Sequence, residues 1–193
     1  MLVPTPPRQK PGSPEEPGTP GLAFSVVRLR VILVELVPPV WRRLQVPSNY
    51  TLRRLHVVLQ HVMGWKESPQ HQFRVGTSLF GMPSENSGPL KDSRWVTLQD
   101  LLAQKATAFT YEYDAGTRWI HQVRIEGLHD GSSTEQRPLC LAGAGACPPE
   151  DCGGPDAYVE LLEAGRRRGR LVDLDPDAFD LDAINTTLAS LRF

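Results

Sequence analysis

The sequence predicts an α+β fold: a single domain built on a mixed, mainly antiparallel sheet with a central β-hairpin, backed by about four helices. Three observations predict it. Residues Phe109 to Leu128 read FTYEYDAGTRWIHQVRIEGL, two runs of aromatic and β-branched residues alternating with polar ones, and period two in that composition means strand. Apolar residues recur at helical spacing after Thr51 and again before the C-terminal Phe193, the mark of helices that cover one face of a sheet. At 193 residues and 40% hydrophobic content, the chain buries one respectable core, whereas two would be cramped.

In chain order, residues 1–21 (MLVPTPPRQKPGSPEEPGTPG) are rich in Pro and Gly and nearly empty of large apolar side chains. They cannot repay the entropy of ordering and are expected to form a disordered tail ahead of a domain spanning 22–193. The run FSVVRLRVILVELV from Phe24 to Val37 is apolar on both faces in its second half, as an interior strand should be. Pro38 and Pro39 break it, and VWRRLQV (Val40 to Val46) makes a second strand with Val40, Leu44 and Val46 on one face. Only Arg42 spoils that alternation. Thr51 begins a helix carrying Leu52, Leu55, Leu59, Val62 and Met63 inward, with Arg53, Arg54, Gln60 and His61 opposite; Gly64 stops it and Trp65 supplies the apolar contact beyond. Short strands are expected near His71–Val75 and Ser78–Gly81, then an exposed loop over Met82–Arg94. Thr97 caps a short helix with Leu98, Leu101 and Leu102.

The hairpin follows. If its aromatic faces meet on one side of the sheet, Tyr113 lies opposite Trp119, Tyr111 opposite His121 and Phe109 opposite Val123. That leaves Asp114 to Arg118 as a five-residue loop, with Gly116 free to take positive φ. A one-residue slip would drive Ile120, Gln122 and Arg124 onto the aromatic face. Beyond it, His129–Arg137 reads as polar loop, and the glycines and prolines of CLAGAGACPPEDCGGP, from Cys140, argue against regular structure. Pro155 opens a helix with Tyr158, Leu161 and Leu162 inward and Gly165 at its end, and Asp175 or Asp180 caps a last helix carrying Leu181, Ile184, Leu188 and Leu191.

Composition excludes several function classes. A net charge of −1 gives no global basic field for nonspecific nucleic-acid binding. No window approaches the ~20 apolar residues of a bilayer span, and the N-terminus shows Pro, Gly and Glu where a signal peptide carries its apolar run. A cytoplasmic location with reduced thiols and no membrane partner is the expectation.

Chemistry-bearing residues fall into three groups. His56 lies on the apolar side of the first helix and His121 on the aromatic face of the hairpin, so a candidate pocket is drawn from His56, His71, Tyr111, Glu112, Asp114, Trp119 and His121. Core histidines held by hydrogen bonds are the commoner outcome. Cys140, Cys147 and Cys152 would take zinc only with a fourth ligand such as His121, His129 or Asp151, and without a C-x-x-C pair buried or free thiols are commoner. Arg166, Arg167, Arg168 and Arg170 form a basic cluster that either complements the negative end of the preceding helix or meets a phosphate or an acidic partner. Asp173, Asp175 and Asp177 open like a calcium loop, but Ala178 and Ile184 stand where such a loop needs Gly and Glu. No nucleotide-binding glycine motif and no G-x-S-x-G elbow is present.

The blocks PPVWRRLQVP, TLRRLHVVLQHVMGW, HQF, YEYDAGTRWIH and CLAGAGACPPEDCGGPDAY, in this order over residues 24–191, resemble the plasmid pRiA ORF-3-like family. The resemblance implies an α+β fold with a mixed sheet backed by helices. It implies no defined activity, since the family is essentially uncharacterised; a resolvase label on some members and DNA-binding domains fused to others point to mobile-element biology. The chain departs from the family at Asp114-Ala115-Gly116-Thr117, where Asp-Phe-Gly-Asp is usual, and the lost acid argues against a metal or catalytic role for that loop. No serine-recombinase pattern is present. The leading expectation is a non-enzymatic binding or interaction module with a protein or nucleic-acid partner and no cofactor. The alternative is a metal-dependent enzyme or nucleic-acid-processing accessory using His56, His71 and His121.

Overall fold

The computed structural model describes residues 24–66, 68–84, 88–114, 116, 118–131, 136–167, 175 and 177–193. The expected tail, residues 1–21, lies outside them, as do Arg168 and Arg170 and the side chains of Arg166 and Arg167.

The first apolar run forms β1 (Phe24–Leu33), and it ends earlier than expected. Glu35 takes a left-handed φ of 76°, turning the chain so that Leu33 N–H meets Val40 C=O at 2.9 Å. Leu36 tucks into the core while Val37 is left exposed. The returning strand is β2 (Trp41–Pro47). Helix α1 (Leu52–Met63) is capped by the Thr51 hydroxyl and ended by Gly64 at φ 74°, the left-handed conformation glycine adopts without strain. Gln60 was expected on its polar face but is buried, for a reason given below.

Next come β3 (His71–Val75) and β4 (Ser78–Gly81). The expected exposed loop contains a two-residue strand, β5 (Lys91–Asp92), parallel to β4, and a fully buried Ser93. Helix α2 (Leu98–Ala103) starts in a reciprocal capping box between Thr97 and Asp100.

The hairpin is β6 (Ala108–Tyr113) and β7 (Trp119–Gly131). Its register pairs Tyr113 with Trp119, Tyr111 with His121 and Phe109 with Val123, as side-chain parity required. The loop bends elsewhere than expected: Asp114 and Arg118, at φ 49° and 55°, take the left-handed positions, not Gly116. The polar stretch after Leu128 continues β7 to Gly131 because β1 is long enough to pair with it, from Phe24 opposite Gly131 to Leu33 opposite His121.

The glycine-rich segment also contains a strand, β8 (Leu139–Ala144), held by β2 on one side. On the other, the Asn185 side chain accepts from Cys140 N–H at 2.8 Å and donates to Cys140 C=O at 3.0 Å, supplying what a neighbouring strand would. Helix α3 (Pro155–Arg167) runs past Gly165, and α4 (Leu181–Ser190) is capped by Asp180.

All eight described strands form one sheet in the order β5-β4-β3-β6-β7-β1-β2-β8, with the hairpin at its centre. Only the β4–β5 pair is parallel. The helices seal one face over Leu29, Val31, Leu44, Phe109, Tyr111 and Trp119. The opposite face carries Arg30, Ile32, Arg43, Gln122 and Arg124, half-buried or exposed. Among the described residues no helix is long and apolar enough to cross a membrane.

Candidate functional site

Three strands, β3, β6 and β7, converge under α1. His56 comes from the helix, one turn before Gln60; His71 opens β3; Tyr111 and Tyr113 alternate inward on β6; Trp119 and His121 do so on β7. The His56 and His71 rings stack at 3.9 Å between centroids, and Tyr111 lies 5.1 Å from His121. Trp65, just past the end of α1, packs on Tyr113 at 4.7 Å and on Trp119 at 5.6 Å.

Hydrogen bonds assign the tautomers. The Gln60 amide donates to His56 Nε2 at 2.9 Å, so His56 Nδ1–H donates to the Tyr111 hydroxyl at 2.8 Å. Only a donor can face the Pro69 carbonyl, so His71 Nδ1–H is given to it at 3.0 Å and Nε2 accepts from Ser93 Oγ at 3.0 Å. His121 Nδ1–H reaches the Tyr111 carbonyl at 3.3 Å, while His121 Nε2, Trp119 Nε1 and Gln60 Oε1 are buried without a partner.

His56 and His121 are fully buried and His71 is 8% exposed. Burial depresses all three imidazoles, His56 to about 2 and His71 and His121 to about 4. For His56, the neighbouring His71 and Arg53 add to the effect. All three are therefore neutral at pH 7. Burial also holds the Tyr111 hydroxyl well above its ordinary value.

The cluster is tied to the glycine- and proline-rich loop after β8. Trp65 Nε1–H donates to Pro148 C=O at 2.9 Å, Lys66 N–H donates to the Glu150 carboxylate at 2.7 Å, and the Tyr113 hydroxyl donates to that same carboxylate. Arg42 holds the start of the loop. Its five N–H groups reach Val62, Trp41, Ala144 and Gly145 carbonyls at 2.8 to 3.3 Å and Cys147 Sγ at 3.1 Å, with the Phe179 ring 4.8 Å away.

The other sequence-derived candidates lie apart. Glu112 has the opposite parity to Tyr111 and Tyr113 and meets Arg118 at 3.4 Å on the other face of the sheet. Asp114 caps the hairpin turn through Gly116 N–H at 3.3 Å. The cysteines are separately engaged: Cys140 Sγ faces the Ala142 carbonyl, Cys147 Sγ lies 3.2 Å from Met63 Sδ, and Cys152 Sγ faces the Gly154 carbonyl. Burial raises all three thiols, Cys147 to about 11. Among the described residues no three His, Cys, Asp or Glu side chains form a group that could hold a metal ion.

Sequence reasoning missed Gln60, Ser93, Glu150 and Arg42. Two had a signal. Gln60 follows His56 at the four-residue spacing that brings helical side chains together, and Arg42 was the one break in an otherwise apolar strand face. Ser93 and Glu150 sit in loops, where periodicity is silent.

The family model described as plasmid pRiA4b ORF-3-like protein matches residues 25–186. The uncharacterized protein y4hQ of Sinorhizobium fredii is 43% identical over 145 residues, 74% of this chain and 74% of that protein. The crystal structure of a protein of unknown function, MM3350 from Methanosarcina mazei, superposes with a TM-score of 0.77 at 30% identity, covering 84% of this chain and 97% of that one.

Proposed function

The chain belongs to the plasmid pRiA4b ORF-3-like family, and from that premise we propose that it is a non-enzymatic binding module. One observation carries the reading: the three histidines are used up in holding the core together. A general acid or base works best with a pKa near the operating pH, and burial drives these to about 2 and about 4. Ser93, the hydroxyl that a neutral His71 could activate, is fully buried and spans β3 and the loop before α2. The opposite face of the sheet, by contrast, presents exposed Arg43, Gln122 and Arg124, and that is the surface offered to a partner.

Thermal and urea melts of His56→Ala, His71→Ala and His121→Ala test the structural assignment. Each removes one side of a buried hydrogen bond, so each is expected to lose ~1–3 kcal/mol. Three variants of wild-type stability would overturn the reading, as would stoichiometric zinc in protein purified without a histidine tag.

A further inference from the structure

The outer face of the sheet holds an arrangement that folding alone does not favour. In an antiparallel pair, residues directly opposite project from the same face. Arg30 on β1 is opposite Arg43 on β2 and also opposite Arg124 on β7. Three arginines therefore stand in one row across three adjacent strands, and like charges at such positions destabilise a sheet. Arg28 lies two residues along β1 from Arg30, and Arg74 on β3 continues the same face through its pairing with Thr110. Among the described residues only one of these five, Arg43, meets a carboxylate. Glu126 engages Arg43 at 2.5 Å, and Glu112 faces Arg118 at 3.4 Å. Among the described residues Arg28, Arg30, Arg74 and Arg124 have no carboxylate partner, and Arg28 Nε is buried without a hydrogen-bond acceptor.

The Trp41 side chain belongs to this surface. The Arg30 guanidinium lies 4.5 Å over the Trp41 ring, forming a flat cation-on-ring stack next to the arginine row. Arginine planes and aromatic rings are what unpaired bases stack on, and the arginine fork matches a phosphate. The row spans about 10 Å, two strand spacings, on a sheet face from which no described helix projects to enter a duplex groove. That shape suits an extended strand with splayed bases.

We infer that this face binds single-stranded nucleic acid, with phosphates along Arg43, Arg30 and Arg124 and a base on the Arg30–Trp41 stack. The inference rests on the binding-module reading and names its partner.

Anisotropy of fluorescein-labelled oligo(dT), titrated with the full chain over a salt series, tests it. Binding is expected to weaken with salt, log K falling against log salt by about 0.7 for each phosphate contact. Arg30→Gln with Arg124→Gln is expected to bind at least about tenfold more weakly and with a shallower slope. Trp41→Leu is expected to lose about tenfold with the slope unchanged, because stacking carries no counterion release. Thermal melts keep the comparison to folded protein, and the exposed Arg124→Gln alone keeps it informative if a double variant unfolds. Absence of salt-sensitive binding by the wild type at low ionic strength overturns the inference, as does binding that survives the arginine changes. If oligo(dT) is refused while polyglutamate binds and depends on the same arginines, the partner is an acidic protein segment; the inference falls and the binding-module reading stands.

Discussion

A buried arginine has to place five N–H groups, and Arg42 places all of them without a carboxylate. Its charge faces carbonyl oxygens, including Val62 at the negative end of α1, an arrangement a helix C-terminus favours. Arg42→Lys retains the charge but offers at most three donors, so unfolding in urea should show a loss of ~2–4 kcal/mol through carbonyls left bare in the core. The histidines make a second prediction at this scale. Their folded values lie below the ordinary imidazole value of 6.5, so the unfolded chain takes up protons first as the pH falls. Their contribution to stability is present above 6.5 and is lost progressively as the pH falls, toward 4 for His71 and His121 and toward 2 for His56. Each histidine steepens that loss by up to ~1.4 kcal/mol per pH unit. Equilibrium unfolding across this range should show it, and His121→Phe should remove about one proton's share of the slope. A flat profile would mean that the imidazoles are not buried and neutral.

At the scale of the element, the hairpin shows what a sequence reveals and what it withholds. Register was readable because a slip of one residue would reverse every side chain from Phe109 to Ile125, and the aromatic face allowed only one answer. The turn was not, since parity sets the length of a loop and leaves open which of its residues bend. Arg118 holds a left-handed φ of 55°, so Arg118→Gly should raise the melting temperature, with a gain of ~0.5–1 kcal/mol from relief of that strain. Strand β8 was hidden for a different reason. Leu139–Ala144 has little strand propensity of its own, and its pairing is imposed by β2 and by Asn185, more than forty residues away. Propensity cannot report a partner so distant in sequence. Asn185→Leu should cost ~1–3 kcal/mol and free the outer edge of β8, and light scattering should then show self-association that rises with concentration.

Across the whole molecule, the inward faces of the strands were readable because alternation marks them, whereas the gathering of His56, His71, Tyr111 and His121 depends on strand order, which no local pattern encodes. The outer arginines were equally visible as letters; only the pairing of β1 with both β2 and β7 puts three of them in a row. That same pairing governs how the molecule is made. β1 is the first of the described strands, yet it sits between β2 and β7 in the finished sheet. On a ribosome adding ~5–20 residues per second, the edge of β1 that will receive β7 stays unpaired for roughly 5–20 s after it emerges. The nascent chain thus carries an apolar strand, VVRLRVIL, with one side open until the hairpin has been synthesised. Refolding from urea is expected in the millisecond-to-second range of sheets dominated by distant pairings. Aggregation during expression should respond to charges placed in β1 more strongly than to equal changes in α3 or α4, which are made after the sheet can close.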